Sequence, residues 1–144
     1  MVKKKIMNAE IHQYPLTIQE TDLDLYGHVN NTSYLILFEQ ARWDLITKNG
    51  WGLKKINEMK QGPVILELNL RFHKELNARD EIIIQTQMNS YLKKIGKMTQ
   101  KMLRGDELCC TLDVTFGLFD LKERKLLLPN AEWLKGIGYS QPLV

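Results

Sequence analysis

The sequence predicts an α+β protein in which an antiparallel sheet of about five strands wraps around one long helix. Two observations carry that expectation. Between Asn31 and about Lys48 the apolar residues recur at helical spacing. In several later segments they alternate with a period of two, between turn residues. An antiparallel sheet with one apolar face needs a cover, and a helix apolar on most of its circumference supplies one. At 144 residues the whole chain, 1–144, reads as one domain.

Residues 7–18 read as a first strand, ending near Pro15 and followed by a polar stretch from Gln19 to Asn31. In the helix, Tyr34, Leu37, Phe38, Ala41 and Leu45 form a stripe on one face, while Leu35, Ile36, Trp43 and Ile46 add apolar groups off it. Such a helix must be covered on most sides. Asn30, Asn31, Thr32 and Ser33 are N-cap candidates, and Asn49-Gly50 is the stop. A short amphipathic segment, Leu53 to Lys60, precedes the breaker Gly62-Pro63. Then Val64, Leu66, Leu68, Leu70 and Phe72 alternate with Ile65, Glu67, Asn69, Arg71 and His73, a second strand. Asp80 to Tyr91 reads as a third and Gly96 to Arg104 as a fourth. Gly105-Asp106 is a hairpin turn into a fifth, on which Leu108, Cys110, Leu112, Val114, Phe116 and Leu118 point one way. Pro129 to Lys135 reads as a short closing helix.

Composition narrows the classes of function. Apolar content of 44% and charged content of 26% suit a globular protein with a core, and no apolar run reaches the length of a membrane span. The basic start Met1 to Lys5 lacks the apolar region that follows it in a signal peptide. A formal net charge of +3 permits an anionic small molecule but falls short of a nucleic-acid binder, and no basic strand is interleaved with aromatics. The adjacent pair Cys109-Cys110 would close a strained ring, so a reducing, cytoplasmic setting is the simpler reading. Alternation on a strand makes one of these cysteines core filler and the other a partly covered thiol. His12, His28 and His73 show no metal-ligand spacing, and neither a G-x-S-x-G elbow nor a glycine-rich phosphate loop is present. No metal and no cofactor are implied.

The segment that carries chemistry is Thr21-Asp22-Leu23-Asp24-Leu25-Tyr26-Gly27-His28-Val29-Asn30-Asn31-Thr32-Ser33-Tyr34. It sets two carboxylates, a glycine turn and a histidine immediately before a helix start. Amides there lack intrahelical acceptors and carry partial positive charge, so a carbonyl oxygen lodged against them gains donors that strengthen as it becomes an oxyanion. A carboxylate brought alongside by the turn at Gly27 can attack that carbonyl or activate a water. These are the ingredients of ester or thioester hydrolysis. The same residues suit a capped helix behind a polar turn, and spacing alone leaves both readings open.

The segment resembles the active-site motif D-x-D-x-x-G-H-V-N-N-x-x-Y of the 4-hydroxybenzoyl-CoA thioesterase-like branch of the hotdog fold. It continues into Phe38-Glu39-Gln40-Ala41-Arg42-Trp43-Asp44, similar to the E-x-A-R-W-D helix of bacterial long-chain acyl-CoA thioesterases. The resemblance implies an acyl-CoA thioesterase that releases free fatty acid and CoA, acting on medium to long chains. Acyl-carrier-protein thioesterases share a related H-V-N-N-x-x-Y motif, and a non-catalytic acyl or CoA binder or a hotdog hydratase would use the same fold. By the resemblance, Asp24 is the catalytic carboxylate, nucleophile or general base, and the Asn31 amide polarises the thioester carbonyl. His28 and Tyr34 occupy motif positions, and Asp22 matches a structural carboxylate. Lys93 and Lys94, with Lys97, match a CoA-phosphate contact, although a solvated hairpin explains lysines there equally well. Glu39 is a second candidate carboxylate, or simply an ion-pair partner of Arg42. Unpaired sheet edges, and the relatives' habit of joining sheets edge to edge, imply a homodimer or homotetramer with a shared site. Strand two would present Ile65, Glu67 and Asn69 to its neighbour.

Overall fold

The computed structural model describes residues 9–139. The basic start and residues 7–8 of the expected first strand lie outside them. Along the chain come β1 (His12–Thr17), a 3-10 turn at Glu20–Asp22, α1 (Asn31–Lys48), α2 (Leu53–Met59) and β2 (Gln61–Phe72). Then follow β3 (Glu81–Leu92), β4 (Ile95–Arg104), β5 (Glu107–Asp120), β6 (Lys125–Leu127) and α3 (Ala131–Gly136). The sheet is antiparallel in the order β1-β3-β4-β5-β2. It has six strands rather than about five, because β6 pairs with β5 beyond the point where β4 begins. Three residues are too few to show a period. β6 is instead set by the turn before it, where Asp120 Oδ1 accepts from the amides of Lys122 and Glu123 and Arg124 takes a positive φ.

Helix α1 packs on the sheet through the expected stripe, each of its five residues 5% exposed or less. It is not covered on most sides, however: Ile36 is 57% exposed and Trp43 38%. Beneath the helix, fully buried Gln100 of β4 joins the layers. Its Nε2 donates to the Phe38 carbonyl and to Thr86 Oγ1, both at 3.0 Å, and its Oε1 accepts from Arg42 Nη1 at 2.8 Å. Both donors and the acceptor oxygen of that amide side chain have partners, the condition for a polar group in a core. Burial lowers the Arg42 pKa from the usual guanidinium value, partly countered by Glu39. The anticipated Glu39–Arg42 ion pair is not formed; Arg42 Nη1 bonds Gln100 instead, and Glu39 acts on the guanidinium only at longer range. At the far end, Trp51 and Trp133 meet edge to face, ring centres 5.7 Å apart, closing α3 over the helix. Among the described residues no helix is long and apolar enough to cross a membrane.

Several strand details depart from the expected pattern, among them a bulge in β3 between Met88 and Ser90. Gly62-Pro63 is not a break but the start of β2, and an edge strand tolerates the proline. The chain turns two residues before Gly62, at Lys60, whose φ of 55° is the left-handed cap of α2. Along β2 a bulge at Leu66 changes the parity. Ile65 pairs with Phe116, while Leu68, Leu70 and Phe72 pair with Val114, Leu112 and Cys110, so all four share the helix-facing side. Ile65 therefore does not belong with Glu67 and Asn69. On β5 a further bulge at Cys109 separates Leu108, which pairs with Leu103, from Cys110, which pairs with Met102. Leu108 leaves the core face, and both cysteines are fully buried. Burial pushes the Cys110 thiol up to about 12. A thiol reagent at pH 8 should therefore label neither cysteine in the folded protein and both in denaturant. Rapid labelling of one thiol under native conditions would show that β5 does not close as described.

Candidate active site

The loop between β1 and α1 lies at the end of the sheet where β2 finishes and β3 begins. Ile18 N donates to the Asp80 carbonyl and Val29 N to that of Leu76. Inside this loop Leu23 and Val29 form a bridge, and the Asp24 amide donates to the His28 carbonyl at 2.8 Å. Gly27 closes the turn at φ 83°, a conformation that favours glycine. Asp24 organises it: Oδ1 accepts from the amides of Tyr26 at 2.8 Å and His28 at 3.3 Å, while Oδ2 has no partner among the described residues. One carboxylate oxygen is thus held and the other available.

Asp22 is used differently. Its Oδ2 accepts from the Gln19 amide and its carbonyl from the Asn30 amide, so it holds the 3-10 turn and the entry to α1. Asn30 is the N-cap, yet its side chain makes no cap hydrogen bond. Its carbonyl accepts from Ser33 and Tyr34, and the amides of Asn31 and Thr32 have no acceptor among the described residues. A helix start left uncapped has two donors and the positive end of the helix dipole to offer.

Asp24, His28, Asn31 and Tyr34 line one surface depression of about 290 Å³. Its other walls are Val29 and the segment Phe72 to Glu75. Tyr34 is buried against Phe72, ring centres 5.0 Å apart and nearly perpendicular, and burial raises its pKa. His28 Nε2 lies 3.1 Å from Glu75 Oε2, and His73 Nε2 3.0 Å from Thr111 Oγ1. Lys74 is the cation at the rim, paired with Glu107 at 2.9 Å. Phe72 to Glu75 escaped the sequence reading because they follow a strand far away in the chain. The polar run His73-Lys74-Glu75 ending an apolar strand is the only local sign of them.

Two expected neighbours are elsewhere. Glu39 lies two turns into α1, about 12 Å along its axis from Asn31, and lines a different hollow. Lys93 and Lys94 sit in the β3–β4 turn, and β3 carries the chain about 35 Å from the Asp24 end of the sheet. Within one chain, then, the first four residues come together and the two lysines stay apart from them.

A family model described as the thioesterase-like superfamily matches residues 18–136. The long-chain acyl-CoA thioesterase FadM of Escherichia coli (strain K12) is 28% identical over 122 residues, covering 83% of this chain and 92% of its own length. The chloroplastic acyl-acyl carrier protein thioesterase ATL3 of Arabidopsis thaliana is 22% identical over 81 residues, 56% of this chain and 43% of its own. Among solved structures, the probable thioesterase YbaW of Escherichia coli matches with a TM-score of 0.79 at 24% identity, covering 88% of this chain and 98% of that one. SAV2348 of Staphylococcus aureus, solved in complex with CoA, matches with a TM-score of 0.84 at 18% identity, covering 98% and 92%. Fold and loop agree with a family model spanning most of the sequence, and the chain belongs to the thioesterase-like superfamily.

Proposed function

We propose that the protein hydrolyses acyl-CoA, releasing the free acid and CoA. The observation that carries this is the meeting of Asp24 and the unpaired Asn31 amide in one depression. The thioester carbonyl would accept from the helix-start amides, which gain strength as its oxygen becomes negative. Asp24 Oδ2 would either attack the carbonyl carbon or take a proton from the attacking water. The C–S bond then breaks and the thiolate of CoA leaves, taking up a proton. On the nucleophilic route the one water consumed enters afterwards, hydrolysing the mixed anhydride and regenerating the Asp24 carboxylate. The similarity to FadM favours acyl-CoA over carrier-protein substrates and the longer chains over the shorter. A thiolate-generating reaction beside two unlinked cysteines suits a reducing compartment such as the cytoplasm.

The same reading includes a second copy of the chain. β2 is an edge strand with Leu66, Leu68 and Phe72 each more than 40% exposed, and a long apolar edge is normally paired. Antiparallel pairing of two β2 strands would set the Asp24 end of one sheet beside the far end of the other. Lys93 and Lys94 would then approach the CoA phosphates of the neighbouring site rather than their own.

Asp24→Asn should lower kcat about a hundredfold or more while leaving the fold and acyl-CoA binding in place, since the amide can neither attack nor accept the proton. An unimpaired Asp24→Asn enzyme beside an inactive Asp22→Asn enzyme would reverse the assignment of the two carboxylates. Changing Lys93 and Lys94 to alanine should raise KM more than it lowers kcat, and less so at high salt. An unchanged KM at low ionic strength removes these lysines from the site. Light scattering at micromolar protein should show at least a dimer, and dilution should lose stability and activity together. A fully active monomer would refute the shared site.

A further inference from the structure

The end of the sheet opposite the Asp24 loop carries two turns of similar make. The β3–β4 turn contains Leu92-Lys93-Lys94, and the β5–β6 turn runs from Leu121 through Lys122 to Arg124, with Lys125 opening β6. Each presents an exposed leucine beside cations: Leu92 is 74% exposed and Leu121 41%. The backbone brings the two turns together. A methyl group added at Gly117 of β5 would lie 2.7 Å from the Lys94 carbonyl oxygen and 2.8 Å from the Leu126 side chain of β6. The Leu121 amide donates to the Lys60 carbonyl, which joins the end of α2 to the same surface. Leu128, 64% exposed, follows β6.

Charge is left uncompensated here. Lys60, Lys93, Lys94, Lys122, Arg124 and Lys125 form no ion pair among the described residues. At the Asp24 end the cations are neutralised, Lys74 by Glu107, Arg79 by Glu20 and Arg104 by Asp80. The unpaired cations outnumber the carboxylates beside them, Glu58, Asp120 and Glu123, and Asp120 spends Oδ1 on the amides of its own turn. Turn geometry does not account for the basic side chains. Lys60, Lys93 and Arg124 have φ of 55°, 55° and 56°, three of the four positive values among the described residues other than glycine. Glycine or asparagine would hold those positions with less strain.

We propose that this end of the sheet docks on an anionic lipid bilayer, with the lysine and arginine heads at the level of the lipid phosphates and Leu92, Leu121 and Leu128 entering the acyl boundary. Charge complementarity selects an anionic partner, and the side chains select lipid. Lysine is depleted in protein interfaces, yet all but one of these cations are lysine. Apolar anchors of a protein interface fill pockets on the partner, whereas these leucines stand on separate turns, an arrangement that suits a surface able to deform around them. A nucleic acid would want an open aromatic face, and the Phe119 ring at the tip has the Arg124 guanidinium over it at 5.0 Å. The surface touches the bilayer and does not cross it.

The test leaves Lys93 and Lys94 in place, since they are assigned to the CoA phosphates, and changes the β5–β6 turn. Lys122→Gln, Arg124→Asn and Lys125→Gln are combined, with asparagine chosen to keep the positive φ. At low ionic strength the full chain should sediment with phosphatidylcholine vesicles that carry roughly one-third phosphatidylglycerol, and not with phosphatidylcholine alone. The triple variant should bind the anionic vesicles about a hundredfold more weakly, near fivefold for each charge removed. Leu121→Ser with Leu128→Ser should weaken that binding by at least about tenfold. Both variants should keep the wild-type circular dichroism spectrum and turn over hexanoyl-CoA in solution within about twofold of the wild-type rate. Vesicle binding needs no turnover, so it stands or falls apart from the thioesterase reading. Wild-type binding that is equal on the two vesicles, or anionic binding that the triple variant keeps, overturns the proposal. Binding to neither vesicle but to immobilised polyglutamate gives this end to an acidic protein. A KM for acyl-CoA that rises in the triple variant as far as vesicle binding falls gives it to the substrate's phosphates, and either result ends the lipid assignment.

Discussion

Burial of one face of α1 against the sheet is the constraint on which the rest of the structure depends. Tyr34, Leu37, Phe38, Ala41 and Leu45 are withdrawn from water on one side, and the sheet answers with Ile82, Ile84, Met98, Met102, Leu112 and Val114. That burial is not directional and would tolerate some sliding of helix over strands. Gln100 removes the freedom. Buried with two donors and one acceptor in use, it fits only where Phe38 O, Thr86 and Arg42 converge, and a displacement of a few ångströms would leave a polar group unpaired at a cost of about 1–3 kcal/mol. The placement of the helix start beside the loop at Asp24 follows from that lock, because α1 runs unbroken from Asn31 and its register on β4 is set.

The loop itself is the product of short-range chemistry, which explains why it could be read from the chain. Asp22, Asp24, Gly27 and Asn30 satisfy one another within a few residues, and the helix begins at Asn31 as its periodicity requires. The stripe on α1, the turn at Gly105 and most strand limits share that character. What the chain did not disclose depends on partners distant in sequence. The bulges at Leu66 and Cys109 arise from pairing between strands, and no period of two within a single strand reveals them. Each reversed the face assigned to a residue, Ile65 in one case and Leu108 in the other. The walls at Phe72 to Glu75 reach the Asp24 loop only because β2 ends beside it. Lys93 and Lys94 sit on a recognisable turn whose distance from that loop only the strand order settles.

Charge is distributed with the same division. Most ion pairs lie on exposed side chains, among them Arg79–Glu20 and Lys74–Glu107, and contribute little stability. The sequestered polar groups are fewer and sit between layers, as with His12 of β1, whose Nε2 lies 2.8 Å from Asp44 on α1. Asp44 shows the balance such groups strike. Burial would raise its pKa, but hydrogen bonds to Lys48 and His12 outweigh it and hold the carboxyl below the usual range. A carboxyl depressed in the folded state contributes stability above its unfolded pKa and loses it as the pH falls through the folded value. The share of the β1–α1 contact that rests on the Asp44 carboxylate is therefore in place at neutral pH and is lost in acid.

The polar start of α1 and the apolar hollow beside its C-terminal half make opposite demands, and the helix meets both by separating them along its length. Near Asn31 the unpaired amides and the carboxylate at Asp24 need a polar, partly wet setting, and the exposed loop provides it. Near Trp43 and Ile46 the first-turn amides are about 18 Å away, the guanidinium of Arg42 is bound to Gln100, and Ile46, Phe116 and Trp133 supply an apolar floor.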